Sequence, residues 1–109
     1  MVGNVQVVND DNFAAEVTKA KGLVVVDFSA EWCGPCRLMG PVLAEFAREV
    51  GGRAKVCTLD VDKAQKTAVQ CRVLSLPTLL FFKDGAEVGR VIGLTPKEAL
   101  VTKLGSLGG

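Results

Sequence analysis

The sequence predicts an α/β domain: one mixed β-sheet of about five strands, with about four helices on its two faces. Three observations carry this. Strand-like and helix-like patterns alternate from Val5 to Gln70, which favours parallel neighbours. The run Leu23 to Phe28 is apolar except for Asp27, the pattern of a strand buried on both faces. Asp84-Gly85 separates two strand-like runs near the C-terminus, a hairpin signal that adds an antiparallel pair.

Val5 to Val8 reads as a short first strand. Asp10 or Asp11 is placed to cap a helix running to about Lys19, with Phe13 and Val17 on one face. After the Leu23–Phe28 strand, Leu38, Met39, Val42, Leu43, Phe46, Ala47 and Val50 keep helical spacing, which makes Met39 a core residue. Gly51-Gly52 stops that helix, and Pro41 inside it should kink it. Lys55 to Val61 is the next strand and Lys63 to Gln70 a weaker helix. Thr78 to Phe82 and Glu87 to Ile92 form the hairpin. Thr95-Pro96-Lys97-Glu98 combines a capping box with proline at the first helical position, so the last helix starts there. Leu104 to Gly109 is expected to fray, with 105–109 a flexible tail on a single domain spanning 1–109.

The 109 residues fit one domain, and 49% hydrophobic with 23% charged residues excludes a disordered chain. A net charge of +1 points to neither nucleic acid nor an anionic membrane surface as partner. The lysines and arginines are scattered and read as solvated surface. No stretch approaches the roughly 18 apolar residues of a membrane span. Met1 to Asp10 lacks a basic start and an apolar run, so it is not a secretory signal. The expected place is the cytoplasm, where thiols stay reduced. The chain has no histidine, which removes His-based nucleophile pairs and His-ligated metals together.

The chemistry then falls to four cysteines. Cys33 and Cys36 follow a buried strand and open a helix. Their spacing puts both sulfurs on one side of the first turn, close enough to bridge. At the helix N-terminus, free N–H groups and the positive dipole end stabilise a Cys33 thiolate and lower its pKa. Cys36, one turn in, is more shielded and suited to resolve a mixed disulfide. Pro35 stiffens the small ring and removes one donor. So short a loop adds little stability by entropy, which suits a bond that opens and closes. The other readings are half of a zinc site and a purely structural pair. Zinc lacks two further ligands, because no second Cys-x-x-Cys exists. Asp27, a carboxylate in an apolar strand, should have a raised pKa. Its other reading is a strand-edge aspartate facing water. Cys57 reads as a small buried hydrophobe. Cys71 falls in the loop before Leu76-Pro77, at the edge of the substrate surface that a family resemblance implies for that segment. It is either packed or a candidate regulatory thiol, open to oxidation or an intermolecular disulfide.

The segment Asp27-Phe28-Ser29-Ala30-Glu31-Trp32-Cys33-Gly34-Pro35-Cys36 resembles the active-site segment of the thioredoxin family. Leu76-Pro77-Thr78, Asp84-Gly85 and Gly93 match the rest of that family's pattern in order and spacing, from about Val5 to Leu104. The resemblance implies a thioredoxin-like fold and protein-disulfide reduction by dithiol–disulfide exchange. It implies Cys33 as attacking and Cys36 as resolving thiol, with Asp27 exchanging protons with Cys36. Pro77 would be a cis-proline facing the disulfide, flanked by backbone that holds the client chain extended. Trp32, Gly34, Pro35, Leu76, Pro77, Thr78 and Gly93 would form the substrate surface. It also implies a monomer with no bound cofactor and no metal. A thioredoxin reductase, fed by NADPH or ferredoxin, would restore the dithiol of an enzyme serving disulfide-containing client proteins.

Some positions depart from the family pattern. Thr58 stands where a lysine is frequent near the buried aspartate, so Asp27 loses a charge partner and its pKa should rise further. Ser29 replaces a second tryptophan, which loosens local packing and leaves Trp32 as the sole fluorescence reporter. Cys71-Arg72 replaces a frequent aromatic-glycine pair. Two other functions remain open. An oxidant or isomerase would usually carry residues other than Gly-Pro between the cysteines. A docking subunit of a larger complex would survive Cys33→Ser with Cys36→Ser.

Overall fold

The computed structural model describes residues 4–109. Met1 to Gly3, the start of the segment read above for a targeting signal, lie outside that range. Five strands form one sheet in the order β1-β3-β2-β4-β5: β1 Val5–Val8, β2 Leu23–Ser29, β3 Lys55–Asp60, β4 Thr78–Lys83 and β5 Ala86–Ile92. β3 runs parallel to both β1 and β2, while β2–β4 and β4–β5 are antiparallel. The helices are α1 Gly34–Val50, α2 Gln65–Gln70 and α3 Lys97–Ser106, with a short π-helical segment at Ala14–Thr18. The predicted α/β architecture is present.

β2 is central because it is apolar on both faces, and alternation divides its side chains between two cores. Val25 joins Val5, Val56, Leu79 and Phe81 beneath α1 and α3, packed on Met39, Leu43, Phe46 and Leu100. Val24, Val26 and Phe28 face the other way, against Phe13, Val17, Cys57, Leu59 and Leu80. Met39 and Cys57 are fully buried, as expected. Lys97 Nζ reaches Glu49 Oε1 at 2.9 Å and ties α3 to α1. Asp84 and Gly85 adopt φ of 50° and 86°, the left-handed pair of a two-residue hairpin turn. A side chain at Gly85 would collide with the Thr18 carbonyl.

Four local expectations are corrected. The first helix is only the Ala14–Thr18 π-segment, closed by Lys19 N–H on Ala14 O at 2.8 Å. Neither Asp10 nor Asp11 caps it. Asn9 Oδ1 accepts from the Asp11 and Asn12 amides instead. Asp10 Oδ1 accepts from the Thr67 amide and hydroxyl at 2.9 and 2.7 Å, which holds its carboxyl below the usual range. The capping box at α3 does not form: Pro96, extended at ψ 152°, is the N-cap, and Thr95 Oγ1 donates to Gly93 O. Lastly, Leu104 to Ser106 are helical and Leu104 is fully buried. Gly109 N–H then folds back onto Leu104 O at 3.0 Å.

Candidate active site

The site lies where β2 ends and α1 begins, beyond the carboxyl end of a central strand. A turn with Cys33 N–H on Ala30 O leads into the helix, and Arg37 Nε donates to Glu31 O at 3.0 Å, fixing that turn. Cys33 is the N-cap of α1, in extended conformation. Its Sγ accepts the Cys36 amide hydrogen at 3.3 Å, in the place a serine or aspartate oxygen would usually take. Cys33 and Cys36 are bonded to each other across a Cα separation of 5.2 Å, and each is only 6% exposed. Ala30, Val61 and Leu76 pack around the pair.

A second segment faces the pair. The Leu76–Pro77 peptide bond is cis. Gly93 N–H donates to Pro77 O at 2.8 Å, which brings the end of β5 beside it. A Cβ at Gly34 or Gly93 would meet no atom within 4 Å, so these positions present backbone to whatever docks there. Trp32 is 66% exposed, and its Nε1 donates to Asp62 Oδ2 at 2.8 Å. Between these parts runs an open groove of about 480 Å³, with Trp32, Cys33 and Leu76 at one end. Its walls are Val61, Gln65, Ala68, Val69, Val73, Leu74 and Ser75. Leu74 is 95% exposed.

The sequence pointed to Trp32, Cys33 and Leu76 but not to the α2 side of this groove. Val73 and Leu74 follow no strand or helix period. The available signal was an apolar pair in a loop, with no element to bury it. Gly34, Pro35, Pro77 and Gly93 do not line this groove, and two further predicted residues sit elsewhere. Thr78 is buried, and its Oγ1 donates to Ser75 O at 2.7 Å, bracing the loop rather than facing the groove. Cys71 is half-buried in a separate cleft with Asp10, Phe13, Thr67 and Phe82, not at the groove's edge. Burial first, and then the nearby Glu87, pushes its thiol up, away from the reactive form.

Asp27 is 2% exposed, and among the described residues nothing donates a hydrogen bond to its Oδ1. Strand alternation puts it on the α1 side of β2, and its register partners are Thr58 and Leu79, neither charged. Desolvation alone drives its carboxyl up to about 7. A cavity of about 240 Å³ lined by Val5, Gly40, Leu43, Ala44 and Thr58 opens beside that register pair. The strand-edge alternative for Asp27 is thereby excluded. Among the described residues no three metal-ligating side chains gather.

A bonded cysteine pair capping a helix, beside a cis-proline loop on a mixed five-stranded sheet, defines a thiol–disulfide redox protein. The family model described as Thioredoxin matches residues 4–106. The chain is similar to the thioredoxin of Chlamydia muridarum, 50% identical over 97 residues, 89% of this chain and 92% of that protein. It is 47% identical to the thioredoxin of Bacillus subtilis over 91 residues, 84% of this chain and 86% of the relative. It is 43% identical to the chloroplastic M-type thioredoxin of Pisum sativum over 103 residues, 94% of this chain and 60% of that protein. The chain belongs to the thioredoxin family.

Proposed function

We propose that the chain is a protein-disulfide reductase working by dithiol–disulfide exchange. It is a thiol–disulfide oxidoreductase of its family. The observation that carries the reading is the Cys33–Cys36 pair at the α1 N-terminus, with the Cys36 amide on Cys33 Sγ. In the reduced enzyme that N–H and the helix dipole would stabilise a Cys33 thiolate. The thiolate attacks one sulfur of a client disulfide. A Cys33–client bond forms, the client S–S bond breaks, and the second client sulfur leaves as a thiolate. Cys36 then gives its proton to ionised Asp27 and attacks Cys33 Sγ. The mixed disulfide breaks, the client leaves fully reduced, and the enzyme is left as Cys33–Cys36. Two electrons have passed to the client.

Asp27, titrating near 7, is matched to this proton exchange at neutral pH. The client backbone would lie extended along the Pro77 loop, between Trp32 and Gly93. The two thiols carry both electrons, so the proposal needs no bound cofactor and no metal. A thioredoxin reductase, fed by NADPH or ferredoxin, would restore the dithiol. We place the protein in the cytoplasm, where a reducing pool suits this direction of transfer. No described helix is long and apolar enough to cross a membrane. The test is Cys36→Ser, which should trap client proteins on Cys33 as stable mixed disulfides visible by mass spectrometry. Trapping on Cys71 or Cys57 instead, or none at all, would contradict the assignment.

A further inference from the structure

Among the cations that are more than solvated surface, one holds a backbone turn. Arg90, on β5, donates through Nε and Nη2 to both carboxylate oxygens of Glu87, at 2.7 and 2.8 Å. The same guanidinium donates through Nη2 to Cys71 O at 3.0 Å and through Nη1 to Arg72 O at 3.2 Å. Those carbonyls end α2. There the chain makes a helix-closing turn: Arg72 N–H bonds Val69 O, and Val73 N–H bonds Ala68 O. The residue at the left-handed position of this turn is normally glycine, and here it is Arg72, at φ 55°. A disfavoured residue thus holds the turn, and a second arginine binds the carbonyls on either side of the strained unit.

The turn matters because the chain leaving it forms the groove. Ala68 and Val69 precede it and Val73 to Leu76 follow it, and all of them line the groove beside Cys33. Arg90 itself does not line that groove. We propose that Arg90, held by Glu87, is a positioning residue for client recognition: it latches the Arg72 turn and so keeps the α2 wall of the groove in place. This rests on the reading of the groove as the client site. An exposed ion pair alone is worth little, but a forked guanidinium satisfying a carboxylate and two helix-end carbonyls has the geometry to fix a turn.

The test follows reduction of insulin with dithiothreitol as electron donor, and single-turnover reduction of the small disulfide dithionitrobenzoate by the pre-reduced chain freed of dithiothreitol. Arg90→Met should raise KM for insulin about fivefold while kcat and the dithionitrobenzoate rate stay within about twofold. Arg90→Lys should recover little, because an ammonium lacks the fork. Adding Arg72→Gly to Arg90→Met should restore KM, since glycine holds the left-handed turn unaided. A lowered Tm with unchanged KM would mark a purely structural role and overturn the inference. So would an equal loss on both substrates, or failure of Arg72→Gly to rescue. If the parent chain reduces neither disulfide, the redox reading itself fails and the latch falls with it.

Discussion

The middle of the sheet and the loops at its end treat side chains in opposite ways. In β2 and β4 every residue from Leu23 to Phe28 and from Thr78 to Phe82 is buried. The β2–β3 and β2–β4 registers there are unbroken, and the only charged group is Asp27. Beyond the strand ends the chain leaves Trp32, Leu74, Ile92 and Leu94 in solvent. It also adopts left-handed backbone at Arg72 and Gly93. The interior hides apolar surface and tolerates one buried carboxyl. The rim displays apolar surface around a reactive sulfur pair. A redox protein that meets many partners needs both: a rigid platform, and a shallow sticky edge beside the bond that exchanges.

If the rim is the chemical end, removing its nucleophile should abolish function without touching the platform. Cys33→Ser should lower protein-disulfide reduction by at least about a thousandfold, with thermal unfolding of the reduced protein little changed. Phe81→Ala asks the reverse question. It empties a fully buried site and should destabilise by about 3–5 kcal/mol in denaturant unfolding. A variant that unfolds normally would mean the platform is looser than its burial implies.

Asp27, the platform's one carboxyl, gives the next effect. Its carboxyl titrates near 3.8 unfolded and about 7 folded, so the folded state favours the neutral form. The stability this contributes is complete below about pH 4, declines as pH rises, and is gone above about pH 7. Asp27→Asn should therefore be more stable than the parent at pH 8, by roughly 2–4 kcal/mol. Near pH 4 that difference should disappear. The same variant should slow breakdown of the mixed disulfide above pH 7. Stability curves that stay parallel across this range would contradict the buried-acid account. The smallest effect belongs to Thr58→Lys, which fills the adjoining cavity with an ammonium. It should lower the Asp27 pKa by about one unit, shifting the pH profile of client release to lower pH. An unmoved profile would show that position 58 does not reach Asp27.

The same contrast explains what could be read from the residues alone. β2, α1 and the Asp84-Gly85 hairpin were legible because apolar periodicity and turn chemistry act locally. Cys33, Cys36 and Asp27 were legible because each breaks a pattern: reactive thiols at a helix start, and a charge in an apolar strand. The first helix is shorter than its pattern predicts, and the Asp10 carboxylate expected to cap it is engaged by Thr67, 57 residues away. The capping box failed because Thr95 turns back to Gly93. The Arg90 fork was invisible for the same reason: it depends on a β5 side chain reaching the carbonyls of Cys71 and Arg72, a tertiary fact that no spacing encodes. Cys71 illustrates it directly, two residues from the groove wall in sequence but half-buried in another cleft.

Cys33 and Cys36 should form a reversible two-electron couple poised to reduce other proteins. A titration of Trp32 fluorescence in thiol–disulfide buffers tests it without a label, since Trp32 adjoins Cys33 and is the chain's one tryptophan. A single two-electron midpoint is expected, more reducing than the glutathione pool, which lies at about −220 to −260 mV by extraction. A midpoint far more oxidising would make the protein a disulfide donor, and no titratable couple at all would contradict the account.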